Sequence, residues 1–551
     1  MDTIIKEYIV DKFICCCKHF SLECSIPKNI LTKSKHADYQ FIGLLLIKKI
    51  FDINTFMKTF IESIQNNSLF DFIVDGLYIN IFIKIEAISK FFVIDELNIS
   101  HKKNVLIDYS SPNIAKELHV GHLRSTIIGD SLANLYELFG HNVMRINHIG
   151  DWGSQFGLII AYAKKMNIEI KTLNISKITE IYQQAKVLIN KENKELYDEE
   201  FKKDVYKCVL LLQNNDSEIL DIWKFLCDIS RIEYLELYQK LDIKPIQEVG
   251  ESFYNQYILH VIDILQQKNL LIESDGATII KTKLHPLIII KKNGGYTYDT
   301  TDLTALWYRT QVLKVDEIIY LTDNGQSSHF NCMFEIAENM GWLTNTICKH
   351  IGFGLILQNG EKISSRKKTN TTTLKQFIDD ALIISSDIWK EKNNIENNVL
   401  SSHVAINCIK FYDLSHHYSS NYNFVFNDIL KMDGKTATYI MYTLTRIYNI
   451  LKISNKEYIN VNFSVIHHTE TKIALLLMQR PDILYDAYEK NQLHIIVDYV
   501  YKLADAFNSL YSSLRIIDSD NELSRLYLCH KTKETFELIF NVLGLKPLEN
   551  M

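Results

Sequence analysis

Residues 104 to 151 constrain the fold of this chain more than any other stretch. "NVLIDYS" is a short apolar run that ends in Ser110, Ser111 and Pro112, and the proline bars a helix there. After it, Leu123, Ile127, Ile128, Leu132, Leu135, Leu138 and Phe139 recur at helical spacing. Gly140 stands where a helix C-terminal glycine would. "HNVMRINHIGD" then reads as another buried strand. Strand, helix, strand in that order predicts a right-handed βαβ unit of a parallel sheet.

The rest of the chain arranges itself around this unit. At 551 residues it is long enough for roughly three or four domains. Residues 1–100 mix apolar runs ("FIGLLLIKKIF", "LYINIFIKIEAI") with polar breaks and read as a small α/β domain. Residues 101–395 read as a Rossmann-type domain, interrupted from about 163 to 237 by a charged helical insertion. The sheet is expected to resume at "LDIKPIQEV", "HPLIIIKKNGGYTYD" and "VDEIIYLTDNG". Residues 396–551 are helical by period, without strand-like alternation, and predict an all-α domain.

An apolar fraction of 47% and a charged fraction of 23% are those of an ordinary soluble globular protein. No run of about 18 uncharged apolar residues is present, so no membrane span is expected. The opening "MDTIIKEYIVDKF" carries acids early and does not read as a secretory signal. Ten scattered cysteines with no C-x-x-C pair point to reduced thiols in a cytosol-like compartment. Cys15, Cys16, Cys17 and Cys24 are a weak metal candidate, because three adjacent cysteines do not easily face one ion. A net charge of −6 argues against indiscriminate polyanion binding but leaves a nucleic-acid partner open.

"AKELHVGHLRST" places His119 and His122 around Gly121 at the strand-to-helix junction. Ligands of open parallel sheets bind at the carboxyl ends of strands, where the next helix aims its N-terminus. Gly121 would let a flat adenine ring lie against the backbone, and the imidazoles could hydrogen-bond phosphate oxygens. Read alone, the motif leaves zinc ligation, phosphate chemistry and plain helix capping open, and capping is the commonest. Zinc is the weakest, since no third ligand lies at a sensible spacing. About 240 residues on, "GEKISSRKK" (Gly360 to Lys368) follows the strand-like "HIGFGLILQ". A basic, serine-rich loop of this kind can close over a triphosphate with ammonium and hydroxyl groups.

Together these two motifs resemble the signature pair of class I aminoacyl-tRNA synthetases. The words around them are similar to the arginyl-tRNA synthetase family: "YSSPNIAKELHVGHLRSTIIGD", "RINHIGDWGSQFG", "GGYTYDTTDLTALWYR", "LTDNGQSSHF", "IKFYDLSHHYSSNYNFVFN" and "LGLKPLENM". They span residues 109 to 551, and the ending leans towards the eukaryotic cytosolic type. The first hundred residues match loosely, through "ADYQ" and "GLYIN".

The resemblance implies a cytoplasmic, monomeric enzyme that joins L-arginine to tRNA(Arg), with ATP as substrate and Mg2+ on its phosphates. It implies a catalytic set of His119, Gly121, His122, Lys116, Lys362 and Ser364, with no protein-held metal. The loop departs from the family pattern, since Ser365 stands where a second lysine belongs; Lys116, just before H-x-G-H, is the residue thought to replace it. For arginine, the implied contacts are Ser111, Pro112, Asn113, His122, Glu251, Tyr298, Asp302 and Gln326. Their chemistry suits a planar cation with five donors, which needs fixed acceptors and carboxylates. Tyr298 and Asp302 lie four apart on one helix face. For tRNA, Tyr439, Tyr442, Tyr511 and Met551 align with residues that contact anticodon bases, and aromatic platforms are how proteins read unstacked bases. The N-terminal domain is implied to touch the tRNA elbow. Two other functions remain at this point: a tRNA-binding paralogue with impaired catalysis, and another H-x-G-H nucleotidyltransferase.

Overall fold

The βαβ unit forms as its pattern predicts, in a computed structural model that describes residues 2–549 except 24, 28, 29, 35, 36, 66, 95, 96, 98–100, 193, 194, 293, 359, 363–372, 394–397, 432 and 460. Strand β1 (Asn104–Asp108), helix α1 (Val120–Leu138) and strand β2 (Asn142–Asn147) follow one another, and the strands pair in parallel with Ile107 opposite Arg145. Gly140, at φ 81°, ends the helix with its N–H on Glu137 O at 2.8 Å.

Three more strands complete a parallel sheet: β3 (Gln247–Glu248), β4 (Glu317–Asp323) and β5 (Ile347–Phe353), in the order β5-β4-β1-β2-β3. The chain builds outward from β1 on one side and then returns to build outward from β4 on the other. The switch point between β1 and β4 opens a crevice at their carboxyl ends, which is where such sheets bind ligands. The sequence features met above, "SSPN" and "DNGQ", are the loops that leave those two strands.

Helix α1 is buried nearly all round, which marks a helix enclosed by two layers. One layer is the sheet. The other is the C-terminal helical domain, whose helix Glu522–Leu543 ends against it: Ser131 Oγ donates to Leu543 O and Asn134 Nδ2 to Val542 O, both at 3.3 Å. Arg124, fully buried, forms an ion pair of 2.9 Å with the equally buried Asp413 and donates to Gly354 O and Ser420 O.

Between β2 and β3 stand four helices, Ser154–Lys165, Ile175–Leu188, Glu199–Gln213 and Ser217–Lys240. The first begins upstream of residue 163 and packs into this bundle. Its Gly157 approaches so closely that a Cβ there would lie 2.5 Å from Val209 Cγ2.

One expectation fails. "HPLIII" does not rejoin the parallel sheet; Leu287–Ile290 forms a separate antiparallel sheet with Ala277–Ile280 and Ile272–Ser274. Leu287 and Ile289 are buried while Ile288 is exposed, the one-sided alternation of such a sheet, and an unbroken apolar run conceals it. The helical C-terminal region does hold a strand, Tyr422–Asn423, too short to show a period, which pairs with Ile356–Gln358.

The N-terminal residues fold as an antiparallel four-stranded sheet with helices Asp2–His19 and Ile53–Ile64, around Phe13, Phe41, Phe56 and Phe60. Gln40 of "ADYQ" donates to Asn80 of "GLYIN" at 2.9 Å, so the two loosely matching words meet. Cys15 is exposed while Cys16 and Cys17 are buried, and burial pushes the Cys16 thiol up to about 11. Cys24 lies outside the described residues. Among the described residues no group of three or more His, Cys, Asp or Glu is placed to hold a metal ion, and no helix is long and apolar enough to cross a membrane.

Candidate active site

Beyond Asp108 the backbone turns through three left-handed non-glycine residues, Ser110 (φ 69°), Ser111 (φ 45°) and Ala115 (φ 62°). Each such residue costs on the order of 1–3 kcal/mol and persists only where its surroundings hold it. Ser110 N donates to Ser125 Oγ, Ser111 N to Asn147 Oδ1 and Ala115 N to Ser230 Oγ, each at 2.9 Å. The loop is thus fastened to α1, to β2 and to the inserted bundle at once. It presents Ser111 and an exposed Asn113, with Pro112 buried and its carbonyl on Gly150 N. A Cβ on Gly150 would meet Asn113 Oδ1 at 2.7 Å, so a side chain there would displace the Asn113 amide.

His119 and His122 cap helix α1 reciprocally. His119 Nδ1 accepts from Gly121 N at 3.1 Å, and His119 N donates to His122 Nδ1 at 3.2 Å. The rings lie 4.0 Å apart and both line the crevice. Burial, with His119 and Lys116 nearby, brings His122 down to about 3, so its imidazole is neutral. A Cβ on Gly121 would sit 2.8 Å from the His119 ring, so any side chain there displaces that ring. Lys116 does not line the crevice. Its ammonium lies over the Tyr182 ring at 4.2 Å, and burial lowers its pKa.

The basic loop is tied at both ends to the site. Ile356–Gln358 turns through Gly360 (φ 80°) into Glu361–Lys362, and at the far end Thr373 bridges His119 while Leu374 N donates to Leu118 O at 2.8 Å. Lys362 is the last strand residue before the loop; Ser364 and Ser365 fall outside the described residues.

The crevice encloses about 700 Å³ and is lined by Ser111, Asn113, His119, Gly121, His122, Glu251, Tyr298, Asp302 and Gln326 among others. Glu251 opens helix α2 (Glu251–Gln267), and Tyr298 and Asp302 lie on helix α3 (Tyr298–Trp307). Burial pushes Glu251 up to about 8; His148 opposes this, and Asp302 and Asp151 add to it. Burial also raises Asp302, but hydrogen bonds from His148 and His329 outweigh it and hold the carboxylate well below its usual range. Tyr298 is exposed, and Gln326 is exposed with its amide 3.5 Å from Asp323. Behind them the fully buried Arg309 pairs with Asp108 at 2.7 Å.

In the helical domain, Tyr442 and Tyr511 are exposed, and the Arg446 guanidinium lies over both rings at 4.7 and 4.3 Å. Tyr439 is half-buried against Tyr501 at 5.8 Å. Met551 lies outside the described residues.

Residues 87–426 match the family described as tRNA synthetases class I (R), catalytic domain, and residues 440–551 match the DALR anticodon binding domain. The chain belongs to the arginyl-tRNA synthetase family. It is 36% identical over 481 residues to the cytoplasmic arginine–tRNA ligase of Bos taurus, covering 82% of this chain and 72% of that one. The arginine–tRNA ligase of Prochlorococcus marinus (strain MIT 9211) is 38% identical over 483 residues, with 82% and 79% covered. The crystal structure of arginyl-tRNA synthetase from Plasmodium falciparum superposes with a TM-score of 0.82 at 31% identity, over 100% of this chain and 99% of that one.

Four residues of this arginyl-tRNA synthetase family member escaped the sequence reading: Arg309, which anchors Asp108; His148 and His329, which bracket Asp302; and Arg446. Only Arg446 left a readable signal, since it stands four residues after Tyr442 on one helix face. The others come from segments separated by tens of residues, with no fixed spacing to Asp302 or Asp108.

Proposed function

We propose that the chain attaches arginine to tRNA(Arg) in two steps at this crevice. The carboxylate of arginine attacks the α-phosphorus of ATP, giving arginyl-adenylate and pyrophosphate. The 2′-hydroxyl of the terminal adenosine of tRNA then takes the arginyl group and releases AMP. No protein nucleophile is required; positioning and charge stabilisation carry both steps. The observation that supports this best is that one crevice is lined by two unlike groups. His119, Gly121 and His122 at the start of α1 suit phosphate oxygens, and Glu251 and Asp302 offer carboxylates to a guanidinium.

In this reading Ser111, Pro112, Asn113, His122, Tyr298 and Gln326 hold the remaining groups of arginine, and Lys116, Lys362 and Ser364 serve the phosphates. ATP enters as its magnesium complex, the metal riding on the substrate's phosphates. Tyr439, Tyr442, Tyr511 and Met551 meet the anticodon, and the N-terminal domain meets the tRNA elbow. We assign residues 1–100, 101–395 and 396–551 to these three tasks, and infer a cytoplasmic monomer. A smaller H-x-G-H nucleotidyltransferase would have no use for the helical domain, and no observation favours an impaired paralogue.

Asp302 gives the sharpest test. Removing one partner of a buried charge pair leaves the other unpaired, at about 3–5 kcal/mol. Asp302→Asn keeps the shape and loses the charge. Arginine should suffer most and citrulline, its uncharged analogue, least, while ATP and tRNA affinities hold. Pyrophosphate exchange with both amino acids, in the presence of tRNA, measures the ratio; an unchanged ratio would move the guanidinium role to Glu251.

A further inference from the structure

Asp302 does not stand alone. Its Oδ2 accepts from His329 Nε2 at 2.9 Å, and its Oδ1 lies 3.4 Å from His148 Nε2. The same His329 ring turns its other nitrogen to a second carboxylate, with Nδ1 3.3 Å from Asp299 Oδ1. Asp299 is buried and its Oδ2 accepts from Ile288 N at 3.1 Å, so it is fixed in place. A neutral imidazole has one N–H and would set a lone pair against one of these carboxylates; the doubly protonated ring donates to Asp302 and sets a positively charged edge beside Asp299. Burial works against that charge, but the two aspartates outweigh it and bring His329 up to about 9. Tyr298 and Phe330 flank the ring at 5.3 and 5.4 Å.

The placement matters as much as the charge. Asp299 and Asp302 are three apart and so share one face of α3, while His329 belongs to helix α4 (Ser327–Asn339), which follows β4. Asp302 lines the crevice and His329 does not; it stands behind the carboxylate. Two carboxylates this close, without a cation between them, would repel, and one would take up a proton. A protonated Asp302 could donate to a neutral carbonyl and would no longer prefer a cation.

We propose that His329 is a positioning residue that sets the specificity of the pocket. It orients Asp302 and offsets the charge of Asp299, so that Asp302, which His148 also approaches, faces the crevice as an ionised carboxylate. This rests on the reading that Asp302 binds the guanidinium.

Full-length His329→Gln and His329→Asn variants separate this role from a packing role. The glutamine amide nitrogen falls near the imidazole Nε2 and still donates to Asp302; the asparagine amide stops short at the Nδ1 position. In tRNA-dependent pyrophosphate exchange, His329→Asn should raise KM for arginine about tenfold and lower the arginine-to-citrulline ratio about tenfold, with KM for ATP within about twofold. His329→Gln keeps the donor to Asp302 but loses the charge that offsets Asp299, so its KM for arginine should rise and its arginine-to-citrulline ratio fall by an intermediate factor of about threefold. Equal behaviour of the two variants, a parallel rise in KM for ATP, or loss of the fold in the asparagine variant would overturn the proposal. Asp302→Asn, run alongside, separates the failures. If it leaves the ratio intact, the reading of Asp302 is wrong; if it collapses the ratio and His329→Asn does not, only the role given to His329 is wrong.

Discussion

His119 and His122 each serve two demands, closing the first turn of α1 and facing the crevice. Losing a helix cap costs about 1 kcal/mol, whereas losing a transition-state contact costs orders of magnitude in rate. His119→Ala and His122→Ala should therefore lower turnover by about a hundredfold or more while thermal stability falls slightly. Comparable losses of both would assign the pair to capping. Glu251 adds a pH dependence. Its carboxyl ionises near 4.5 ordinarily and near 8 in the folded protein, raised by burial. The folded state thus favours the proton, and stability is lost as pH rises from the lower value to the higher. Glu251→Gln should raise Tm little at pH 4.5 and most near pH 8. A guanidinium draws the proton off, so KM for arginine should fall as pH climbs towards 8 in the parent and stay flat in the variant. A flat profile in both would separate Glu251 from arginine.

At the scale of elements, β1, α1 and β2 were legible because two short apolar runs flank a long segment whose large apolar residues recur at helical spacing and which ends at Gly140. The antiparallel strand Leu287–Ile290 was not, since its exposed Ile288 is as apolar as its buried neighbours. The site was legible where it sat in contiguous words, as with Ser111 to His122. It was illegible where a side chain from one element steadies a side chain from another, as His329 and His148 steady Asp302. Lys116 raises the remaining question at this scale, because the inserted helix Ile175–Leu188 holds its ammonium over Tyr182, away from the crevice lining. If Lys116 supplies the charge that Ser365 lacks, Lys116→Ala should abolish adenylate formation in a folded protein and a second change, Ser365→Lys, should partly restore it. Full pyrophosphate exchange in the Lys116 variant would show that the charge comes from elsewhere.

For the molecule as a whole, α1 lies between the parallel sheet and the helices of the C-terminal half. Arg124 and Asp413 meet there with side chains 0% and 1% exposed. Arg124→Met should cost about 3–5 kcal/mol by stranding a buried carboxylate. The double variant Arg124→Met/Asp413→Leu should recover part of that loss in a denaturant melt, short of all of it because Gly354 O and Ser420 O lose their donor. Losses of the two single variants that simply add in the double variant would mean that the pair is not coupled.

Because α1 is enclosed by both domains, its sequence answers to two sets of neighbours at once. A helical domain transplanted from a relative would set unfamiliar groups against Ser131 and Asn134, whose partners are the last carbonyls of Glu522–Leu543. Chimaeras of this family should therefore be cut so that α1 and that helix travel together, whatever the positions at which the two domains divide along the chain.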